Sequence, residues 1–288
     1  MREYFKPILN NVSLRPSDAL EMEDSGFWFN LVEYIRRGKA ASLIAAEDMP
    51  EKWKKKLCSR RTPILGVEFN KPSIMGILNV TPDSFSDGGK FIDYKNAIYK
   101  GIQMAKEGAD IIDVGGESTK PGSQPVNFEI ETQRVVPVVK ELVCSVKIPI
   151  SIDTRKSSVG QAAVAAGASL INDISGFEFD QKLALFCAAH SIPVCVMHSQ
   201  GTPEVMQINP VYEDVVLDIF DYLEKRIAFL EKIGISRDNI IADPGIGFGK
   251  TIEHNLLILN NIAFYFMTLI IHSCIIFGFI KYFFKAFS

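Results

Sequence analysis

The sequence is short of several features that would assign it to a class quickly. Its five cysteines (Cys58, Cys144, Cys187, Cys195 and Cys274) are odd in number and form no CxxC pair, so neither a disulfide framework nor a zinc site is indicated. A reducing, cytoplasmic setting fits that usage. No charge of one sign dominates: 31 basic and 34 acidic residues leave a formal charge of -3, which excludes the basic footprint of a nucleic-acid binder. The first 30 residues hold Arg2, Lys6, Glu21 and Asp24 and no continuous apolar run, which argues against a secretory signal. Disorder is excluded by what is present, since 47% hydrophobic and 10% aromatic residues can fill a sizeable core in a chain of 288.

Short apolar runs alternate with amphipathic stretches from Lys71 to Ile262, and this alternation predicts a parallel α/β fold. Strands are expected over residues 73–78, 110–114, 149–153, 170–174, 193–197 and 239–242, each too short for a helix and rich in Ile and Val. Between them, Tyr94, Ala97, Ile98, Gly101, Ile102 and Ala105 recur at helical spacing, as do Val135, Val138, Val139 and Leu142, and Val216, Ile219, Phe220, Leu223 and Ile227. Polar residues gather just after the strands: Asn79, Glu117, Asp153 with Arg155, Asn172 with Asp173, His198 and Asp243. That is the face on which a (β/α)8 barrel or a doubly wound sheet carries its site. Each residue alone reads as a cap or a loop hydrogen-bonder, but six in phase point to a ligand.

The glycine-rich stretch GIGFGKT (residues 245–251) is not a P-loop, because Pro244 stands where the first Walker glycine belongs. Nor is it a dinucleotide fingerprint, because Lys250 replaces the third glycine. Its glycines are expected to let backbone approach a flat ligand. One His without a second His or a Cys nearby makes His198 a packed, hydrogen-bonded residue rather than a metal ligand.

The run IMGILNVTPDSFSDGG (residues 74–89) resembles the opening signature of the dihydropteroate synthases. The resemblance continues in order through DVGGESTKPG (113–122), SIDTR (151–155), INDISG (171–176), VMHSQGTP (196–203) and DPGIGFGK (243–250), spanning roughly residues 62–261. It implies a TIM barrel that joins p-aminobenzoate to 6-hydroxymethyl-7,8-dihydropterin diphosphate and releases diphosphate. It further implies Mg2+ as cofactor, sensitivity to sulfonamides and a homodimer. By this resemblance Asp153, Asn172, Met197 and Asp243 hold the pterin, and Phe85, Thr119 and Phe248 enclose p-aminobenzoate. Asn79 and Lys120 contact the diphosphate, Asn79 also serving the metal. Lys120 stands where the family usually has Arg, so it supplies charge without a bidentate fork. A methyltetrahydrofolate-dependent methyltransferase shares the Asp and Asn strand ends, but the loop over residues 81–89 argues against it.

The resemblance stops near Asn261. The family's later Ser-Arg-Lys and Arg-x-His motifs do not follow, and about six βα units are recognisable where a barrel needs eight. The chain is therefore expected to comprise an N-terminal extension (1–61), an incomplete pterin-binding barrel (62–262) and an apolar tail (263–288), with the first and sixth strands exposing their edges. A truncated, inactive pterin-binding fragment is the alternative that this expectation raises. Seven of the 20 phenylalanines lie between Phe264 and Phe287, and residues 262–280 carry no formal charge. A frame change near the end of an ordinary gene, a membrane tether and a swapped partner element all explain such a tail, in that order of preference. In the extension, residues 30–44 are expected to form a helix and residues 52–61, with six basic side chains, a solvated linker. Residues 62–70 are expected to form a short hairpin under the barrel.

Overall fold

The computed structural model describes residues 2–11, 14–23, 25–60, 62–68, 73–81, 90–118, 123–201, 206, 208–268 and 272–273. Phe85, Thr119 and Lys120 lie outside these residues. Seven parallel strands form the central sheet: β6 (Met75–Asn79), β7 (Ile111–Gly115), β8 (Ile150–Asp153), β9 (Leu170–Asp173), β10 (Val194–Met197), β11 (Ile240–Asp243) and β12 (His272–Ser273). They lie side by side in chain order, the winding that a (β/α) barrel requires. Among the described residues no ladder joins β6 to β12, so the sheet is described as open.

The helices between the strands are α2 (Lys90–Lys106), α3 (Phe128–Ser145), α4 (Ser157–Ala165), α5 (Gln181–Ala189), α6 (Val215–Lys232), α7 (Ile252–Asn260) and α8 (Ile262–Thr268). Their starts are set locally. Asn127 Oδ1 accepts from Ile130 N at 2.9 Å, and Asp214 Oδ1 accepts from Val216 N and Leu217 N at 3.0 and 3.1 Å. Thr251 and His254 form a reciprocal capping box at the start of α7. The apolar positions spaced at 3.6 residues are the buried ones, Val135, Val138, Val139 and Leu142 on α3 and Ile219, Phe220, Leu223 and Ile227 on α6, all fully inaccessible.

The extension differs from the sequence expectation. Instead of a helix over residues 30–44, it forms an antiparallel sheet of β1 (Glu3–Pro7), β4 (Leu31–Arg36) and β5 (Ser42–Ala45), beside a small pair, β2 (Leu20–Glu21) and β3 (Trp28–Phe29). Gly38 breaks the apparent helical spacing with φ +68° in the turn between β4 and β5, and Val32 pairs with Ile44 across it. Tyr34 stacks on Phe5 from the neighbouring strand, with ring centroids 5.2 Å apart. Nor is the basic run a linker: α1 (Glu51–Cys58) buries Trp53 and Leu57, one turn apart, exposes Lys52 and Lys55, and lays Lys56 over the Trp53 ring. Between residues 62 and 68, Ile64 and Val67 make an antiparallel bridge and join Met75, Ile111, Leu170, Cys195 and Ile241 at the bottom of the sheet, as a short hairpin there should.

The tail also begins inside the fold. Phe264 and Tyr265 of α8 are buried, Phe264 against Phe220 at 4.9 Å and Tyr4 at 6.5 Å, and Tyr265 Oη donates to the Val216 carbonyl at 3.0 Å. β12 then pairs with β11, Ile241 opposite His272 and Ala242 opposite Ser273, so the edge of the sixth strand is covered over two residues. Residues 262–273 thus resume the alternation of helix and parallel strand that the tail's composition conceals. Among the described residues no helix is long and apolar enough to cross a membrane.

Candidate active site at the strand ends

Strand register decides which polar residues meet. Asn79 pairs with Gly115, Gly115 with Asp153, and Asp153 with Asn172, so four adjacent strands deliver these residues in one row at the same end of the sheet. Met197 and Asp243 are partners in the next pair of strands. A Cβ on Gly115 would lie 3.4 Å from Asp153 Oδ2 and 3.5 Å from Asn79 Oδ1, which places both oxygens over that bare Cα. Asn79 is exposed and Asp153 partly so, while Asn172 and Asp243 are buried.

The carboxylates are poorly compensated. Asp153 accepts no hydrogen bond from any described residue. Burial, then the negative charges of Asp113, Glu131, Asp173 and Glu117, push its carboxyl well above the usual range. Asp243 accepts one bond, from Gly245 N at 2.7 Å, and burial raises it to about 6 even though that bond and Lys250 pull the other way. Asn172 donates through Nδ2 to Asp113 Oδ2 at 2.8 Å, and its Oδ1 is buried with no hydrogen-bond partner. Such a group costs about 1–3 kcal/mol unless something else donates to it.

An apolar patch adjoins these groups. Ile174, Met197, Met206 and Phe248 pack together there, so the two apolar residues singled out from the sequence do share one cluster. Lys250 closes the far side, its Nζ 2.8 Å from the Phe248 carbonyl, which accepts, and 3.0 Å from His198 Nδ1. Burial lowers Lys250 to about 7, and burial with the adjacent Lys250 holds His198 well below its ordinary value. His198 is therefore a packed ring held toward its neutral form, its Nδ1 in hydrogen-bond contact with the lysine.

Other strand-end residues prove to be structural. Glu117 takes Arg155 Nε and Nη2 at 3.1 and 2.7 Å and pairs with Lys156, which also pairs with Glu131. This network ties the loop after β7 to the loop after β8. Asp173 is consumed by its own turn, accepting from Ser175 N, Ser175 Oγ and Phe177 N. The glycines after β11 also act differently from the expectation of a close ligand approach. Gly245, at φ +69°, would place a Cβ 2.0 Å from the His198 carbonyl oxygen, and Gly249 would place one 2.7 Å from that of Gln200, so what approaches them is the loop after β10. Asp113 and Lys250 were not singled out as site residues from the sequence. The available signal was a charged residue inside an otherwise apolar strand and a lysine closing a glycine run.

The family described as pterin binding enzyme matches residues 75–273, which includes every strand of the central sheet. The chain belongs to this family. Within it, the similar proteins are dihydropteroate synthases, the transferases of folate biosynthesis. That of Clostridium beijerinckii is 48% identical over 198 residues, covering 68% of this chain and 71% of the other. That of Escherichia coli K12 is 44% identical over 198 residues, covering 68% and 70%. Two solved structures agree: Xanthomonas albilineans dihydropteroate synthase with 4-aminobenzoic acid (TM-score 0.62, 42% identity, 67% of this chain and 68% of that one) and the Yersinia pestis enzyme in a sulfonamide drug complex (TM-score 0.67, 39% identity, 72% and 74%). Among the described residues, no group of three or more His, Cys, Asp or Glu side chains is placed to hold a metal ion.

Proposed function

We propose that this chain catalyses the dihydropteroate synthase reaction. The amine nitrogen of p-aminobenzoate attacks the methylene carbon of 6-hydroxymethyl-7,8-dihydropterin diphosphate. The carbon–oxygen bond breaks, diphosphate leaves with the electron pair, and the amine gives up a proton to yield 7,8-dihydropteroate. The observation that carries the proposal is the set of acceptors short of donors at one end of the sheet: Asp153, with no partner among the described residues, the Asn172 Oδ1, with none, and the desolvated Asp243, with one backbone amide. A pterin presents an amino group and ring N–H groups along one edge, and acceptors of this kind match donors of that kind. Met197 offers the ring a soft apolar face, and Phe248 is the proposed neighbour of p-aminobenzoate. Phe85 and Thr119, which follow β6 and β7 in the sequence, are proposed to complete the p-aminobenzoate site, and Lys120 to hold diphosphate.

Mg2+ is the proposed cofactor, and the donors present suit it. This ion prefers oxygen ligands, retains waters and leans on substrate phosphates, and the exposed side-chain carbonyl of Asn79 is a donor of that kind. When bound, it would draw charge from the leaving oxygens. The protein's own part is to orient the pterin, with acceptors whose burial makes the bare carboxylate costly until a donor meets it. A cytoplasmic location and a homodimer complete the proposal.

A second reading, pterin binding without turnover, draws support from the sequence, where the Ser-Arg-Lys and Arg-x-His motifs that the resemblance leads one to expect do not follow Asn261. Chromatographic detection of dihydropteroate from both substrates and Mg2+ separates the two. Product formation is expected. No product, together with a melting temperature raised by pterin, would leave the binding reading standing and remove catalysis.

A further inference from the structure

Away from the strand ends, a cavity of about 630 Å3 lies between the N-terminal extension and α6. Six cations line it: Arg2, Lys52, Lys55, Lys56, Lys225 and Arg237. The two acids in its wall are already engaged, Glu224 with Arg2 and with Lys56 at 3.6 Å, and Asp221 with Arg2 at 2.7 Å, Arg37 at 2.8 Å and Tyr4 Oη at 2.9 Å. Arg237 pairs with Glu231 at 2.8 Å. Lys52, Lys55 and Lys225 make no ion pair with any described residue. A chain of net charge -3 thus concentrates a positive surplus in one concave place, where focused potential attracts anions.

The lining also limits what the anion is. Ala228 is its single apolar residue, and the indole face of the nearby Trp53 is covered by Lys56, whose Nζ is 4.9 Å from the ring centroid. Among the described residues no aromatic side chain lines the cavity, Arg2 already lies over the Tyr4 and Phe220 rings and Arg237 pairs with Glu231, which disfavours stacking by single-stranded nucleic acid. The volume falls in the range of small-molecule sites and accommodates a short chain of linked phosphates. Lys56 shows that the cations feel one another: burial, then Arg237, Arg2 and Lys52, lower its amine to about 8 despite the opposing pull of Glu231.

We propose that this cavity is a second anion site of the protein, separate from the strand ends, that binds the linked phosphates of inorganic di- or triphosphate or of a nucleotide tail. The proposal does not depend on the catalytic reading. The test is calorimetric titration of the full chain at about 50 mM salt, where charge contacts are little screened, with inorganic diphosphate, inorganic triphosphate and ATP, repeated with the double variant Lys52→Glu/Lys55→Glu. Both lysines belong to α1. One equivalent of triphosphate is expected to bind the native chain, at least tenfold more weakly in the variant, with ATP no tighter than triphosphate because the base finds no partner. ATP binding tenfold tighter than triphosphate would instead identify a nucleoside pocket and overturn the assignment. Binding that the variant leaves unchanged belongs to the strand ends, and if all binding behaves so, the proposal fails. A variant-sensitive oligothymidine that outcompetes triphosphate would reassign the surface to nucleic acid. Lys225→Glu, on the opposite wall, reads the same site should the double variant not fold.

Discussion

Replacing Asp243 with asparagine separates what the carboxylate costs the fold from what it does for a ligand. Its ordinary value is 3.8 and burial raises it to about 6. Each pK unit is worth about 1.4 kcal/mol, so ionising Asp243 in the folded protein costs about 3 kcal/mol relative to the unfolded chain. The sign follows from proton counts. Between pH 3.8 and about 6 the folded state holds more protons than the unfolded state, so this group erodes stability as pH rises and its full cost is present above pH 6. An amide at this position would have no such cost, and its side-chain oxygen would still accept from Gly245 N, though more weakly by about 1 kcal/mol. Asp243→Asn is therefore expected to gain about 2 kcal/mol at pH 7.5, or roughly 4–8 °C in melting temperature, and to gain nothing near pH 4. Pterin binding should move the opposite way, weakening about 10- to 100-fold on loss of a charge-assisted acceptor. Thermal melts across pH 4–8 and a calorimetric titration with a pterin read both effects. A variant equally destabilised at both ends of that range would refute the desolvation argument, and unchanged pterin affinity would refute the assignment of Asp243 to the ligand.

Gly245→Ala should cost at least about 2–3 kcal/mol and lower expression or melting temperature, because φ +69° disfavours a side chain and the added carbon would fall 2.0 Å from the His198 carbonyl oxygen; a variant as stable as the parent would mean that the loops after β10 and β11 are not packed as described. Phe264→Ala should cost about 3–5 kcal/mol by emptying a site walled by Tyr4 and Phe220. Chemical denaturation reads that loss, and no change in midpoint would show that α8 is dispensable to the fold.

The central sheet was legible because local signals there agree with the tertiary outcome. Short Ile- and Val-rich runs are strands when both faces are covered, and each of the six expected runs overlaps a strand to within two residues at either end. The extension was not legible because its signals conflict. Leu31, Tyr34 and Ile35 fit a helical face, but Val32 and Tyr34 equally fit a strand, and it is Gly38 and the packing of Tyr34 on Phe5 that settle the choice. In α1 the lysines obscured the apolar pair Trp53 and Leu57, two residues being enough to anchor an eight-residue helix. In the tail, composition outweighed pattern: an uncharged run looks the same whether its aromatics face lipid or, as Phe264 and Tyr265 do, the protein core.

Residue type alone does not tell which polar strand ends face a ligand, and it is the resemblance to the dihydropteroate synthases that picks out Asp153, Asn172 and Asp243. Function here is defined by what a group lacks, and a sequence shows residues without their partners. By residue type and position alone, Glu117, Arg155, Asp173, Asp153 and Asp243 are equivalent charged groups at strand ends. In the structure, Glu117 and Arg155 neutralise each other and Asp173 takes three donors from its own turn, so each is fully occupied within the protein. Asp153 has no such partner among the described residues, Asp243 has a single backbone amide, and the Asn172 oxygen between their strands has none. Together with the Asp113 Oδ1, which is also buried without a partner, these three acceptors are left short of donors in one place, a cost in stability that the donor-rich ligand proposed above would offset.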